Sequence, residues 1–342
     1  MTAPADFDVQ KFSTWLREVT GEHADLAVTA IRGGGSCEMF RVDRLGESWV
    51  VRRAPRAAVS ATAHQVLREA RIMEALSGQG VPVPRVLASS PDSAVLGAPF
   101  FVMSYVAGDV IRRNGLPPAL RDDPDTQNSI GEQLVDTLAN LHAVDWAGTA
   151  LADISHPDGF LDRQVDRWLT QLDSYRVRDL DDVDELARWL QVNIPDRADL
   201  TVMHGDYKVD NVIWAPSPPP RIACIVDFEM TTVGDPLIDL AWAMIFWPED
   251  GNPIALAAPG TPNGIHPDHC QKPAELVDRY AAATGRDLAR FDWYQVFSAW
   301  KLAIVLEGSY AAHVRGESRN PVHEVFGPLV DQLLIRARRF AR

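Results

Sequence analysis

"HGDYKVDNVIWAPSPPPRIACIVDFEMTTVGDPLIDLAW", residues 204 to 242, sets His204, Asp206, Lys208, Asp210, Asn211, Asp227, Asp235 and Asp239 beside segments that read as buried core. Burying so many polar groups costs free energy unless they meet one another, a cation or the backbone. VIWA and RIACIVDF are strand-like runs separated by PSPPP, residues 216 to 220, whose prolines cannot extend a ladder. The pattern predicts a hairpin around a proline-rich turn. Asn211, just before the first strand, and Asp227, at the end of the second, then lie at the same end of one ladder, and Asp206 sits in the loop that enters it. A carboxylate, an amide oxygen and a second carboxylate that converge in this way suit a hard divalent cation with oxygen ligands. Gly234-Asp235-Pro236 is a helix start, with Asp235 as N-cap and Pro236 at the first helical position. Asp239, one turn further in and flanked by Ile238 and Leu240, is harder to explain as a cap.

The chain has 342 residues and is 46% hydrophobic, enough for a sizeable core and for two lobes. Lys and Arg number 33 against 47 Asp and Glu, a net charge of −14. That balance argues against generic attraction to nucleic acid or anionic membranes. The three cysteines, Cys37, Cys224 and Cys270, have no zinc-ribbon or redox spacing, which fits a reducing compartment. MTAPADFDVQKF lacks a basic region followed by an apolar run. These features lead to the expectation of a soluble cytoplasmic protein with no nucleic-acid or membrane partner, and leave its oligomeric state open.

Residues 7 to 19 carry apolar side chains at helical spacing, and AVTAIRGGGSCEMFRVDRLGESWVVRRAP reads as short strands with turns at Gly33 to Gly35 and at Gly46. Residues 61 to 77 predict a helix in which Glu69 shares a stripe with Val66, Ile72, Met73 and Leu76, so a basic group must reach it unless it snorkels outward. VPVPRVLAS and PFFVMSYVAG add two strands, and a lobe boundary is expected near residue 106. Beyond residue 126 the pattern is helical, with helices also expected at 236 to 247, 272 to 284, 291 to 315 and 321 to 340. The fold class is therefore α+β, an antiparallel sheet with one main helix followed by a mostly helical part that carries the hairpin.

A His-Gly-Asp entry, Asn five residues after the Asp, a short hairpin, Asp-Phe and a helix-opening Asp-Pro form a long ordered pattern. In it the sequence resembles the aminoglycoside phosphotransferase-like branch of the protein-kinase-like superfamily, and within that branch the kinase domains linked to acyl-CoA dehydrogenases. The resemblance extends over nearly the whole chain and implies a two-lobe fold, residues 1–106 and 107–342, and ATP- and Mg²⁺-dependent phosphoryl transfer to the hydroxyl of a small molecule. It makes Asp206 the catalytic aspartate that orients that hydroxyl and accepts its proton, and Lys208 a fixed cation near the transferring group. It makes Asn211 and Asp227 the Mg²⁺ ligands. His204 is read as a buried brace of the loop, and Asp235 and Asp239 as scaffold, Asp239 accepting backbone hydrogen bonds from the catalytic loop.

On the nucleotide side, Gly34, Gly35 and Ser36 stand where a phosphate-covering turn would be, and no Walker A pattern occurs. Where protein kinases place a lysine, SWVVRRAP supplies Arg52, or Arg53 if the register slips by one. Arg52 is taken as the phosphate-contacting cation and Glu69 as its partner, a departure because a planar fork replaces a point charge. FFVMSYVAG resembles the strand between lobes, with Met103 and Tyr105 as candidate walls of the base pocket. The acceptor is open between a hydroxyacyl thioester and an aminoglycoside antibiotic. The absent lysine keeps a third reading, a nucleotide-binding regulatory protein without turnover.

Weaker signals are read as structural. HPDHC, residues 266 to 270, is too crowded to hold zinc, LDDVDEL reads as a wet helix face, and the tryptophans at 242, 247, 293 and 300 as core, with room for one or two to line a pocket. Glu307, Tyr310, His313 and Arg315, on one late helix, could face the cleft.

Overall fold

A computed structural model of the chain describes every residue except 1–3, 5, 22–24, 32–36, 45, 57–59, 112–114, 122–123, 154, 197–198, 217–218, 250, 257–263 and 342. Helix α1 (Val9–Thr20) comes first, its N-terminus capped by the Asp8 carboxylate, which accepts from the Lys11 amide at 3.1 Å. An antiparallel sheet follows: β1 (Ala27–Ile31), β2 (Glu38–Arg44), β3 (Glu47–Arg53), β4 (Val86–Ser90) and β5 (Phe100–Ser104), in the order β1-β2-β3-β5-β4. Helix α2 (Ser60–Leu76) lies between β3 and β4, and the short α3 (Ser93–Leu96) between β4 and β5.

Side chains on a strand alternate between faces, and this sheet uses the alternation to build two cores. Phe40, Val42, Trp49, Val51, Phe100 and Val102 pack with Phe7, Phe12 and Leu16 beneath α1. Phe101 and Met103 belong to the other core, together with Val66, Ala70 and Met73 of α2. The pairing Arg52↔Phe101 puts Arg52 on the α2 face and Arg53 on the α1 face.

The helical part contains α4 (Pro118–Arg121), α5 (Pro124–His142), α6 (Gln164–Asp173) and α7 (Asp181–Val192). It then has β6 (Thr201–Met203), β7 (Val212–Trp214), β8 (Ile222–Ile225) and β9 (Thr232–Gly234). It ends with α8 (Leu237–Phe246), α9 (Pro253–Leu256), α10 (Pro273–Thr284), α11 (Phe291–Val314) and α12 (Phe326–Phe340). The expected hairpin is β7 with β8, Val212 opposite Ile225. Asp109 bridges to Trp214, and Gly108 makes that approach possible, because a Cβ there would lie 2.2 Å from the Trp214 carbonyl. Helix α11 is buried along most of its length, and Trp242, Trp247, Trp293 and Trp300 are all core, as expected. No helix among the described residues is long and apolar enough to cross a membrane.

Two local expectations are corrected. The last helix begins at Phe326 and not at 321, because the Asn320 side chain accepts from the Val322 amide and closes a separate 3-10 turn, Pro321–His323. The acidic face of α7 is solvated as expected, with half-exposed Arg338 of α12 pairing with Asp182 and Glu185 at its surface. Glu307 is fully buried against Arg178, whose Nη2 donates to its carboxylate at 2.9 Å while Tyr310 lies under the guanidinium. These two residues of α11 therefore tie it to the loop between α6 and α7 and do not open onto a cleft.

Candidate active site

The segment from His204 to Asn211 is entered from a pairing that the sequence did not reveal: β6 runs antiparallel to β9, with Met203 opposite Thr232. Between them Gly205 adopts φ 86°, and a Cβ there would stand 2.5 Å from the Met230 carbonyl, so only glycine fits. His204 is buried and braces the loop, its Nε2 donating to the Val226 carbonyl at 2.9 Å and its Nδ1 accepting from the Asp206 amide at 3.2 Å. Asp239 resolves its own burial in the expected way. Its Oδ2 accepts from the His204 amide at 2.6 Å and its Oδ1 from the Gly205 amide at 2.9 Å, with His142 Nε2 at 3.4 Å. Asp235 Oδ1 accepts from the Leu237 amide at 3.0 Å and Oδ2 from the Tyr294 hydroxyl at 2.6 Å, and burial raises its carboxyl to about 6.

Asp206 is the centre of the loop's polar contacts. Its Oδ1 accepts from Trp242 Nε1 at 2.8 Å, and its Oδ2 from Asn211 Nδ2 at 2.9 Å and from the Lys208 ammonium. Burial alone would raise this carboxyl, yet Lys208, His204 and the indole N–H bring it below its ordinary value. The Val226 amide donates to the Asn211 carbonyl at 3.0 Å, which extends the β7–β8 ladder by one pair and sets Asp227 next to it. Asp227 has φ 70°, the sole positive φ of a non-glycine among the described residues. Such a conformation costs of order 1–3 kcal/mol and concentrates at functional sites.

Across the gap, Arg52 arrives from β3. Its Nε lies 2.8 Å from Glu69 Oε2 of α2, and its Nη2 donates to Asp227 Oδ1 at 2.8 Å, with Glu229 Oε2 at 3.4 Å. Burial opposes its charge, but Glu69 and Asp227 hold the guanidinium well above its ordinary value. The buried acid noted in the sequence has thus met its cation, and the register has not slipped.

Of the sequence-derived residues, Glu69, Arg52 and Asp227 form one contiguous chain and Asp206, Lys208 and Asn211 another, linked by the hairpin. Met103 lies on the same face of the sheet as Arg52, opposite Val50 and partly buried. Tyr105 is 36% exposed and carries the Arg41 guanidinium 4.3 Å from its ring. Gly34, Gly35 and Ser36 lie outside the described residues. Sequence reasoning assigned no contact with Asp206 to Trp242, although its place one turn after Asp239 on α8 was visible. It also missed Lys301, whose signal was a charge in the apolar run WKLAIVL, and Arg68, which donates to the Glu229 and Thr231 carbonyls at 3.4 and 2.5 Å.

Residues 27–294 match the family described as the phosphotransferase enzyme family. The chain belongs to it. The expectation of a phosphotransferase with the kinase-like α+β fold is borne out. Among curated relatives, acyl-CoA dehydrogenase family member 11 of Gallus gallus is 30% identical over 327 residues, 92% of this chain and 41% of the relative. The protein of the same name from Homo sapiens is 28% identical over 339 residues, 96% of this chain and 42% of that one. The chain thus spans about two fifths of the length of these relatives. A solved Ralstonia eutropha protein, provisionally named an aminoglycoside phosphotransferase, superposes with TM-score 0.81 at 27% identity, covering 97% of this chain and 99% of its own. The GDP and kanamycin complex of an aminoglycoside phosphotransferase gives TM-score 0.63 at 16% identity, covering 94% of this chain and 97% of its own, a likeness of fold.

Proposed function

We propose that the chain transfers the γ-phosphoryl group of ATP to the hydroxyl of a small molecule, in a nucleotide cleft between residues 1–106 and 107–342. The observation that carries this reading is the convergence of Asp206, Asn211 and Asp227 from a loop and two hairpin arms, met across the gap by Arg52. Asp206 orients the acceptor hydroxyl and takes its proton as the oxygen–phosphorus bond forms and the bond from phosphorus to the ADP oxygen breaks; the proton then passes to solvent. Lys208 beside it offsets the charge that develops on the transferring group. Arg52, held in place by Glu69, contacts the phosphates, and Met103 and Tyr105 flank the base, with Gly34, Gly35 and Ser36 assigned to cover the phosphates. That Arg52 is seated on the α2 glutamate supports turnover over a purely regulatory role.

Asn211 and Asp227 would hold Mg²⁺. The donor set fits: an amide and a carboxylate supply oxygen only, the Asp227 side chain is 34% exposed, and its Oδ1 already attracts a cation, Arg52. Among the described residues no group of three His, Cys, Asp or Glu is placed to hold a metal alone, which matches an ion held by one or two side chains and completed by substrate phosphates. When bound, the ion would neutralise charge on the phosphates.

The acyl-CoA dehydrogenase names of the curated relatives support a hydroxyacyl thioester as acceptor. A screen of hydroxylated metabolites, including hydroxyacyl thioesters and an aminoglycoside, for ATP-dependent phosphate incorporation tests the proposal. Incorporation that disappears in Asp206→Ala is expected. Tight ATP binding with no incorporation into any compound would favour the regulatory reading instead.

A further inference from the structure

Lys301 sits in the middle of α11 between Trp300 and Leu302, 7% exposed, and the phosphoryl-transfer reading gives it no task. Its ammonium stands 4.2 Å from the centroid of the Trp242 ring and 5.2 Å from that of Trp168. Its one hydrogen bond among the described residues, to the Gly205 carbonyl, is long at 3.4 Å. An ammonium has three donors, so two meet no oxygen among the described residues, and buried polar groups are rarely left that way. The two indole faces offset part of the desolvation but are not hydrogen-bond acceptors of oxygen quality. Burial brings Lys301 down to about 8, which still leaves it mainly charged near neutral pH.

The charges around it do not neutralise it by contact. Asp239 spends its oxygens on the His204 and Gly205 amides and on His142, and Asp206 spends its own on Trp242, Asn211 and Lys208. Asp206 and Asp239 attract the ammonium through space, Arg167 and Lys208 repel it more weakly, and the Arg167 guanidinium lies 5.9 Å from the Trp168 ring centroid. In a chain of net charge −14, two cations, Arg167 and Lys301, thus lie against Trp168, and Lys301 also against Trp242. The place matters: Gly205 immediately precedes Asp206, and the indole under the ammonium is the one that donates to the Asp206 carboxylate.

We infer that Lys301 binds an acyl oxygen of the phosphoryl acceptor, a carboxylate or a thioester carbonyl, and so selects hydroxyacyl compounds over polycationic amino alcohols. The inference rests on the reading that Asp206 faces the acceptor hydroxyl. An acyl oxygen supplies the missing acceptor for the unpaired donors, whereas a polycation would bring like charge to a desolvated ammonium.

The test uses the whole chain with Mg²⁺ and a non-hydrolysable ATP analogue, and measures by calorimetry the binding of hydroxybutyrates with the hydroxyl on the second, third or fourth carbon. Their coenzyme A thioesters, butanols lacking the acyl oxygen, and kanamycin are the other probes, and transfer is followed separately with ATP. The expected result is that at least one hydroxyacyl probe binds more tightly than kanamycin. Lys301→Met should weaken it about 10- to 100-fold, the range of one hydrogen bond to a charged group, with the loss in acceptor KM and not in kcat, and Lys301→Arg should restore part of it. The preferred member of each acid and thioester pair identifies the source of the oxygen. Tighter binding of kanamycin, no binding of any hydroxyacyl probe, or an equal loss for the butanols would overturn the inference. Lys301-dependent binding without any phosphate transfer would keep the inference and sink the kinase reading.

Discussion

Arg52 and Arg53 are adjacent on β3, both buried, and they face opposite sides of one sheet. On the α1 side, Arg53 donates through Nε to Glu38 at 2.8 Å, through Nη1 to the Asp6 and Leu96 carbonyls at 2.8 and 2.9 Å, and through Nη2 to the Asp6 carboxylate at 3.0 Å. Those partners lie within the first hundred residues, and every nitrogen of its fork is in use. On the α2 side, Arg52 lies against Glu69, then Asp227 and Glu229 from the distant segment after β8, and its Nε, 2.8 Å from Glu69 Oε2, makes no hydrogen bond of good geometry among the described residues. Residue type and burial are the same in both cases. The satisfied fork holds the scaffold together, and the fork with a donor left over, which reaches Asp227, is the one the proposal assigns to the nucleotide.

Substitutions can break this contrast, beginning with the largest effect. Asp206→Ala removes the proposed proton acceptor and should lower turnover by about 10²- to 10⁴-fold, the usual share of a positioned base; steady-state kinetics with a responsive acceptor would show it. Arg53→Met should leave kcat/KM for ATP within about 2-fold but cost on the order of 3 kcal/mol of stability in a denaturant titration, because carbonyls and carboxylates lose a buried cation. Arg52→Lys should do the reverse, lowering kcat/KM for ATP by about 10-fold with little change in unfolding midpoint, since a point charge cannot hold Glu69 and a phosphate with one planar fork. If the two arginine variants behaved alike, the division between scaffold and site would fail.

Trp242→Phe sharpens the picture with the smallest effect. Asp206 is held below the ordinary aspartate value, so its ionised form contributes stability above the unfolded pKa, and this contribution is lost as pH falls through the lowered folded one. Losing the indole donor raises the folded value. The acid limb of the kcat/KM profile should therefore move upward by a fraction of a unit, with no loss from titration at neutral pH, where the carboxylate stays ionised.

How much of this was legible depended on whether the signal was local. Periodicity and PSPPP located the hairpin, and with it the shared end occupied by Asn211 and Asp227, because ladder geometry follows directly from chain order. Glu69 could be recognised as an acid awaiting a cation because its neighbours on α2 were apolar, and Arg52 proved to be that cation. The β6–β9 pair was not legible, since each strand has three residues and the partners are joined only in the folded state. Lys301 and Trp168 come from helices far apart in sequence, so their meeting over Trp242 left no local mark. Glu307 misled for the complementary reason: a charge on a late helix suggests a cleft, and only the packing shows Arg178 against it.

Transfer of labelled γ-phosphate from ATP to an acceptor, measured in parallel with nucleotide affinity for the native chain and for Asp206→Asn, addresses the central claim most directly. The nearly isosteric amide should keep nucleotide affinity within a few-fold while transfer falls by at least about 10². Undiminished transfer, or a loss of nucleotide binding as large as the loss of transfer, would contradict it.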